Sequence, residues 1–310
     1  MWKNSTCITI LAALSVLYAT ILFGADDDVD KTDLEKIKER GNIEIAVYAK
    51  FPPYSAKASG QPEGIDIEIG RALAVKLGVT PTFRVFLADE TVEDDFRNHI
   101  WKGHYLGGGT ADVMMHAPAD PEFAQRNDKV RILAPYFEEE LVVARSQRLK
   151  NARTLDAFMN DKIGVEQLTL PSYFLLSAFG GGLRENTVHF KSIGYAVEAL
   201  KKNEVAAVLG PRGEIEGALG SDIGNFHIGP MPMPGVYRTR WDLGLAIKSE
   251  NDQLAGAIAK AMSELRADGT IMRIFARSGL TYRPPSPAEV ANRGQKTIVK
   301  TSSTAAPLSQ

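Results

Sequence analysis

The chain has 310 residues, 44% of them apolar, and a formal net charge of −2. That length accommodates two domains of about 100–200 residues each, and the near-neutral balance excludes a broad affinity for nucleic acid or anionic lipid. The single cysteine, Cys7, falls in an N-terminal apolar run, so the chain beyond it has no disulfide, thiolate metal site or cysteine nucleophile.

Lys3, the apolar run Ile8 to Phe23, the small residues Gly24 and Ala25 and the acidic Asp26, Asp27 and Asp28 follow one another in the order of an export signal over residues 1–25. The run is short against the roughly 20 residues that span a bilayer, and no basic flank follows it. A periplasmic chain, free of the membrane once the signal is removed, is expected.

Leu34 and Ile37 begin a short helix that stops at Gly41. Ile43 to Tyr48 alternates as a buried strand, and Pro52 and Pro53 then force an extended turn. Ile65, Ile69, Ala72, Leu73 and Leu77 fall at helical spacing, closed by Gly78. Thr82 to Phe86 is a strand, Phe96 and Ile100 suggest a helix, and Asp112 to Met115 is another strand. This βαβαβ order is the unit of an open, largely parallel sheet.

The pattern repeats with strands at Ile163 to Glu166, Val188 to Phe190 and Ala206 to Leu209, and helices at Pro171 to Ala178 and Tyr195 to Lys202. Leu243 to Ile247 is a last strand. After it, Leu254, Ala257, Ile258, Ala261, Met262 and Leu265 make the best helical face in the chain, ended by Asp268 and Gly269. Residues 284–310, rich in Pro, Ser, Thr and Lys, read as a flexible tail. The fold class is α/β, two lobes facing a central cleft.

Ligands of open α/β sheets bind beyond the carboxyl ends of strands. The candidate loops are Phe51 to Ala56, Met115 to Arg126, Glu166 to Ser172 and Gly210 to Glu216, the last containing Arg212. Tyr54 can stack on a cleft occupant or pack beneath the crossing between lobes. His116 can touch a ligand or serve as a hydrogen-bonded structural residue. Gln167 and Thr169 can face the cleft or cap the next helix. Gly107, Gly108 and Gly109 lack the Lys and Ser or Thr of a phosphate loop. The acidic run Asp89, Glu90, Glu93, Asp94 and Asp95 lacks the spacing of a calcium loop, and His99 and His104 lack the spacing of a zinc helix. No nucleophile–base arrangement stands out, so neither catalysis, a cofactor nor a metal is expected.

Several segments carry a resemblance: Arg40 to Val47, Phe51-Pro52-Pro53-Tyr54, Gly64 to Ile69, Gly109 to Met114, Ala134-Pro135-Tyr136, Leu243 to Lys248 and Leu265 to Thr270. In order and spacing the chain resembles the type II periplasmic solute-binding proteins of family 3, the polar-amino-acid group. The resemblance implies a discontinuous lobe 1 of residues 31–140 plus 240–283, a lobe 2 of residues 141–239, and a hinge of two crossing segments. It further implies that Arg126 grips a ligand carboxylate with its guanidinium fork, unless that side chain is only a surface ion pair. Thr169 matches a Gly-Thr loop in which Leu168 replaces the Gly. The family's ammonium-binding Asp falls on Pro211, although Glu214 and Glu216 stand nearby. On this reading the cleft serves a negative group and has no partner for the positive end of an α-amino acid.

The segment Gly103 to Met114, with Asp120-Pro121 and Arg126 to Ile132, is similar to the MxaJ and XoxJ branch of that family. It implies an accessory protein that matures or activates a periplasmic PQQ-dependent methanol or alcohol dehydrogenase, with that enzyme and its cytochrome c as candidate partners and a partner segment held in the cleft. The alternative is the substrate-binding protein of an ABC permease, for a small anionic or amino-acid-like solute.

Overall fold

A computed structural model describes residues 31–58 and 60–285. The expected export signal and nearly all of the expected tail lie outside them. Among the described residues no helix is long and apolar enough to cross a membrane.

Eleven strands are formed among the described residues. They are β1 (Asn42–Tyr48), β2 (Ala56–Ala58), β3 (Gln61–Glu63), β4 (Thr80–Phe86), β5 (Val113–Pro118), β6 (Val130–Ser146), β7 (Ile163–Glu166), β8 (Thr187–Phe190), β9 (Ala207–Pro211), β10 (Phe226–Gly229) and β11 (Arg240–Lys248). The main sheet runs β4-β1-β5-β11-β6-β9-β7-β8, with β10 also paired to β6. β1 lies parallel to β4 and β5, and β7 lies parallel to β8 and β9. β11 is antiparallel to β5 and β6, and β6 is antiparallel to β9 and β10.

β6 organises the molecule. Its residues from Val130 to Glu140 pair with β11, and those from Leu141 to Ser146 pair with β9 and β10. One continuous 17-residue strand therefore belongs to both halves of the sheet. The side-chain period of two sends alternate residues to opposite faces. In the first half, Ile43, Ile45, Val113 and Leu245 join the helices Ile65–Leu77, Asp252–Ala267 and Thr270–Arg277 in one core. Ala46, Met114 and Ala246 meet Phe96 and Ile100 on the other face. In the second half, Val143, Val165 and Leu209 pack on the helix Leu170–Gly181. Val142, Ala144 and Val208 pack on the helices Ile193–Lys201 and Arg212–Leu219. Trp241 contacts a core of each half.

The α/β class matches the sequence reading, with local differences. Val92–Phe96 is α-helical but continues as a wider π-turn over Arg97–Trp101. A short helix, Pro121–Arg126, replaces a loop; Asp120 caps it by accepting the N–H of Phe123 at 2.7 Å. β5 runs on through His116, whose φ of 63° is left-handed and marks an irregular strand. The helix Ile65–Leu77 begins at Gly64, φ 120°, where an added Cβ would sit 2.4 Å from the carbonyl oxygen of Tyr54. Only glycine lets the turn that carries Tyr54 approach that helix so closely.

Candidate functional site

The two halves of the sheet flank a cleft of about 1210 Å³. Its apolar walls include Phe51, Pro53, Leu141, Leu170, Tyr195 and Trp241. Its ionisable lining is Glu166 at the end of β7, Glu214 in the first turn after β9, and the exposed Lys50 and Lys191. Both carboxylates thus stand at carboxyl ends of strands, as expected for an α/β site.

Glu214 is partly buried and, among the described residues, makes no ion pair or hydrogen bond. Burial first, then the charges of Glu166 and Glu139, push its carboxyl well above the ordinary range. Burial also raises Glu166, opposed by the N–H of Ile193, which donates to its Oε2 at 3.1 Å. A desolvated carboxylate beside two like charges is stabilised by an arriving cation. The cleft interior is therefore ready for a positive group.

Below the cleft lies a buried polar cluster that joins the halves. The Tyr54 hydroxyl donates to Glu139 Oε2 at 2.5 Å, and Glu139 also accepts the N–H of Gly213 at 3.3 Å and that of Glu140 at 2.8 Å. Burial raises the Glu139 carboxyl against these bonds and the nearby His116. Burial, then Glu139, pushes the Tyr54 phenol up. His116 Nδ1 lies 3.2 Å from Asp66 Oδ2, and Tyr136 donates to Asp66 Oδ1 at 2.6 Å. A second cluster surrounds Glu140, which contacts Arg212 Nη2 at 3.1 Å, Arg240 Nη2 at 2.5 Å and Arg283 Nη1 at 3.3 Å.

The candidates from the sequence are dispersed across these places. Tyr54 and His116 come together, ring centroids 4.3 Å apart, but both belong to the packed cluster and neither lines the cleft. Thr169 does line it, while its Oγ1 accepts the N–H of Ser172 at 3.4 Å as a helix cap. Gln167 is exposed beside the cleft, and its N–H goes to Phe190. Leu168 takes the left-handed φ of 61° that favours glycine. Arg212 is committed to Glu140 and Glu216. Arg126 is exposed at the end of its short helix, over the Phe123 ring, and does not line the cleft.

The cation assigned to a carboxylate lies outside the cleft, and an unpaired carboxyl stands inside it. Glu214 was not among the site residues expected from the sequence, which gave it only as a carboxylate near Pro211. Its signal was an acid in the first helical turn directly after a strand end. Glu216, the other carboxylate near Pro211, faces Arg212 and accepts the N–H of Thr281 at 2.9 Å.

Close packing makes Gly213 a test of the joint between the halves. An added Cβ there would lie 2.0 Å from the Tyr54 hydroxyl oxygen and 3.0 Å from Glu139 Oε2. Gly213→Ala is expected to cost about 1–3 kcal/mol in chemical denaturation, the usual cost of overpacking. Tyr54→Phe should recover part of that loss, giving a coupling of about 0.5 kcal/mol or more in a double-mutant cycle. Additive effects would show that Tyr54 and Gly213 do not meet.

Comparison with known proteins adds to this geometry. The profile of the bacterial extracellular solute-binding proteins, family 3, matches residues 43–280. The chain is 24% identical over 267 residues to ABC transporter arginine-binding protein 1 of Escherichia coli (strain K12), covering 84% of this chain and 95% of that one. Among solved structures it resembles an ancestral cationic amino acid solute-binding protein, with TM-score 0.63, 20% identity, and 79% and 99% of the two chains covered. It also resembles an amino acid ABC transporter substrate-binding protein from Streptococcus pneumoniae bound to L-arginine, with TM-score 0.57, 17% identity, and 82% and 100% covered.

Proposed function

We propose that this chain, which belongs to the bacterial extracellular solute-binding proteins of family 3, is the periplasmic binding component of an ABC uptake system for an amine- or guanidinium-bearing, amino-acid-like solute. Its type II periplasmic-binding fold supplies two lobes and a cleft, and it acts by holding the ligand instead of transforming it. The observation that carries this reading is Glu214, raised by burial and by Glu166, lining the cleft without a cation. The positive end of the solute pairs with Glu214 and Glu166, its apolar stem packs on walls such as Phe51 and Trp241, and a carboxylate is met by Lys50 and Lys191 at the edge. The three similar proteins described above, named for or bound to arginine or cationic amino acids, agree in charge.

A thermal-shift screen of arginine, lysine, diamines, neutral amino acids and dicarboxylates tests it. A cationic ligand at one hundred times its Kd adds about 2.7 kcal/mol to the stability, and the dicarboxylates add nothing. A response confined to the dicarboxylates would overturn the reading. Arg126→Ala is expected to leave the affinity for that cation within about twofold, as measured by calorimetry, because the side chain lies outside the cleft. A tenfold loss would restore Arg126 to the site.

One observation favours a second reading. The cleft volume of about 1210 Å³ exceeds the roughly 300–1,000 Å³ usual for small-molecule pockets, and Leu87, Leu170 and Tyr195 stand exposed around it. An accessory protein that grips a segment of a quinoprotein dehydrogenase would use such a mouth, with a basic residue of the segment reaching Glu214. Co-purification of the tagged protein with that dehydrogenase, competed by free cationic solute, tests this. Absence of the dehydrogenase from the eluate would refute it.

A further inference from the structure

The end of β4 and the helical segment after it bring three metal-binding side chains together. One ligand atom each from Asp89, Asp95 and His99 all lie within 4.8 Å of one another. Asp95 is buried and oriented: its Oδ2 accepts the Tyr48 hydroxyl at 2.8 Å, and its Oδ1 accepts the N–H of Asp89 at 2.9 Å. Asn98 Nδ2 donates to Asp89 Oδ2 at 2.9 Å. Each carboxylate oxygen has a second lone pair for another partner.

His99 supplies the independent observation. Its ring stacks on Phe86, centroids 3.9 Å apart, and its Nδ1 is shielded from solvent with no hydrogen-bond partner. A shielded ring nitrogen without a partner is costly, and such groups call for an explanation. His99 also lies in the π-turn Arg97–Trp101, a winding frequent at functional sites. The sequence pairs His99 with His104 only in a search for zinc spacing; the folded chain pairs it with Asp95, four residues earlier, and with Asp89 from the preceding loop.

We propose that Asp89, Asp95 and His99 form a binding site for a divalent transition-metal ion, two residues beyond Leu87 at the mouth of the cleft. One imidazole with two carboxylates suits zinc or manganese, whereas calcium favours six to eight oxygens. Ligand atoms of a tetrahedral zinc ion stand about 3.3 Å apart, so closing on it from separations of up to 4.8 Å asks for about 1–1.5 Å of movement at most. The exposed Asp89 provides that freedom and the path of entry, and water completes the coordination.

The test uses the full chain after treatment with a chelator and dialysis. Zn²⁺ and Mn²⁺ are titrated by calorimetry and by thermal shift, with Ca²⁺ as the control. One ion per chain, a rise in melting temperature with Zn²⁺ or Mn²⁺, and at least tenfold weaker binding in Asp89→Asn are expected. His99→Phe keeps the stack on Phe86 and removes the unpartnered nitrogen. Its metal-free melting temperature should equal or exceed that of the parent, with metal binding lost. Asp89→Asn, at an exposed position, decides alone if His99→Phe does not fold. No binding at one ion per chain, a preference for Ca²⁺, or unchanged binding in Asp89→Asn would each overturn the proposal. None of these results touches the reading of Glu214.

Discussion

Glu214→Gln is expected to make the protein more stable at neutral pH and to weaken its hold on a cationic ligand about ten- to hundredfold. The second effect follows from losing a charged partner, worth about 1.5–3 kcal/mol, where 1.4 kcal/mol is tenfold. The first follows from linkage. Burial and the neighbouring carboxylates raise the folded carboxyl above its unfolded value, near 4.3 for Glu. Below that value both states are protonated and no penalty exists. As pH rises through it, the unfolded chain ionises while the native carboxyl keeps its proton, so stability falls. The fall ends once the native group also ionises. The glutamine variant lacks this decline and should therefore be more stable than the parent at pH 7. Glu139 and Glu166 are raised as well, so the slope is reduced and not abolished. Urea denaturation from pH 4 to 8 measures the first effect and calorimetry the second. Ligand affinity should run the opposite way, strengthening as pH rises and Glu214 ionises.

Glu140→Gln is expected to be the most destabilising of these substitutions. The carboxylate is 1% exposed and is shared by Arg212, Arg240 and Arg283. Removing it leaves three guanidinium groups around a neutral amide, and breaking a buried ion pair in this way costs about 3–5 kcal/mol. The cost falls where β6 passes between the halves, because Arg212 begins a helix of the second half and Arg283 lies in the C-terminal segment that returns to Glu138. Equilibrium denaturation checks the magnitude. Glu198→Gln, which loses only an exposed pair with Lys201, should change stability by less than about 1 kcal/mol and serves as the control. Equal effects in the two variants would show that the three-arginine cluster is not a unit.

Much of the fold was legible because it rests on short-range patterning. Ile65 to Leu77 and Leu254 to Leu265 show the helical period, and Ile43 to Val47 and Ile163 to Val165 read as strands. β6 was harder, because three successive acids, Glu138, Glu139 and Glu140, stand in the middle of it. They are tolerated there only through partners distant in sequence: Arg283 for Glu138, Tyr54 and Gly213 for Glu139, and three arginines for Glu140. Local pattern carries no trace of such pairing.

The site was legible in its loops but not in its residues. The segments Glu166 to Ser172 and Gly210 to Glu216 do reach the cleft, and Thr169 lines it. Which side chain of a loop turns inward depends on packing. Tyr54 turns under the cleft because Gly64 and Gly213 give it room. Arg126 is carried away by a helix that Asp120 and Pro121 start. The grouping of Asp89, Asp95 and His99 was missed for a related reason: Asp89 reaches the helical pair Asp95 and His99 only through the bend after β4.

Everything turns on the sign of charge that the cleft accepts, and one titration addresses it directly. Arginine is added by calorimetry to the parent protein at pH 5 and pH 8, and to Glu214→Gln at pH 8. The account predicts binding to the parent that is tighter at pH 8 than at pH 5 and a loss of about tenfold or more in the variant. Equal affinity in parent and variant, or tighter binding at the lower pH, would contradict it.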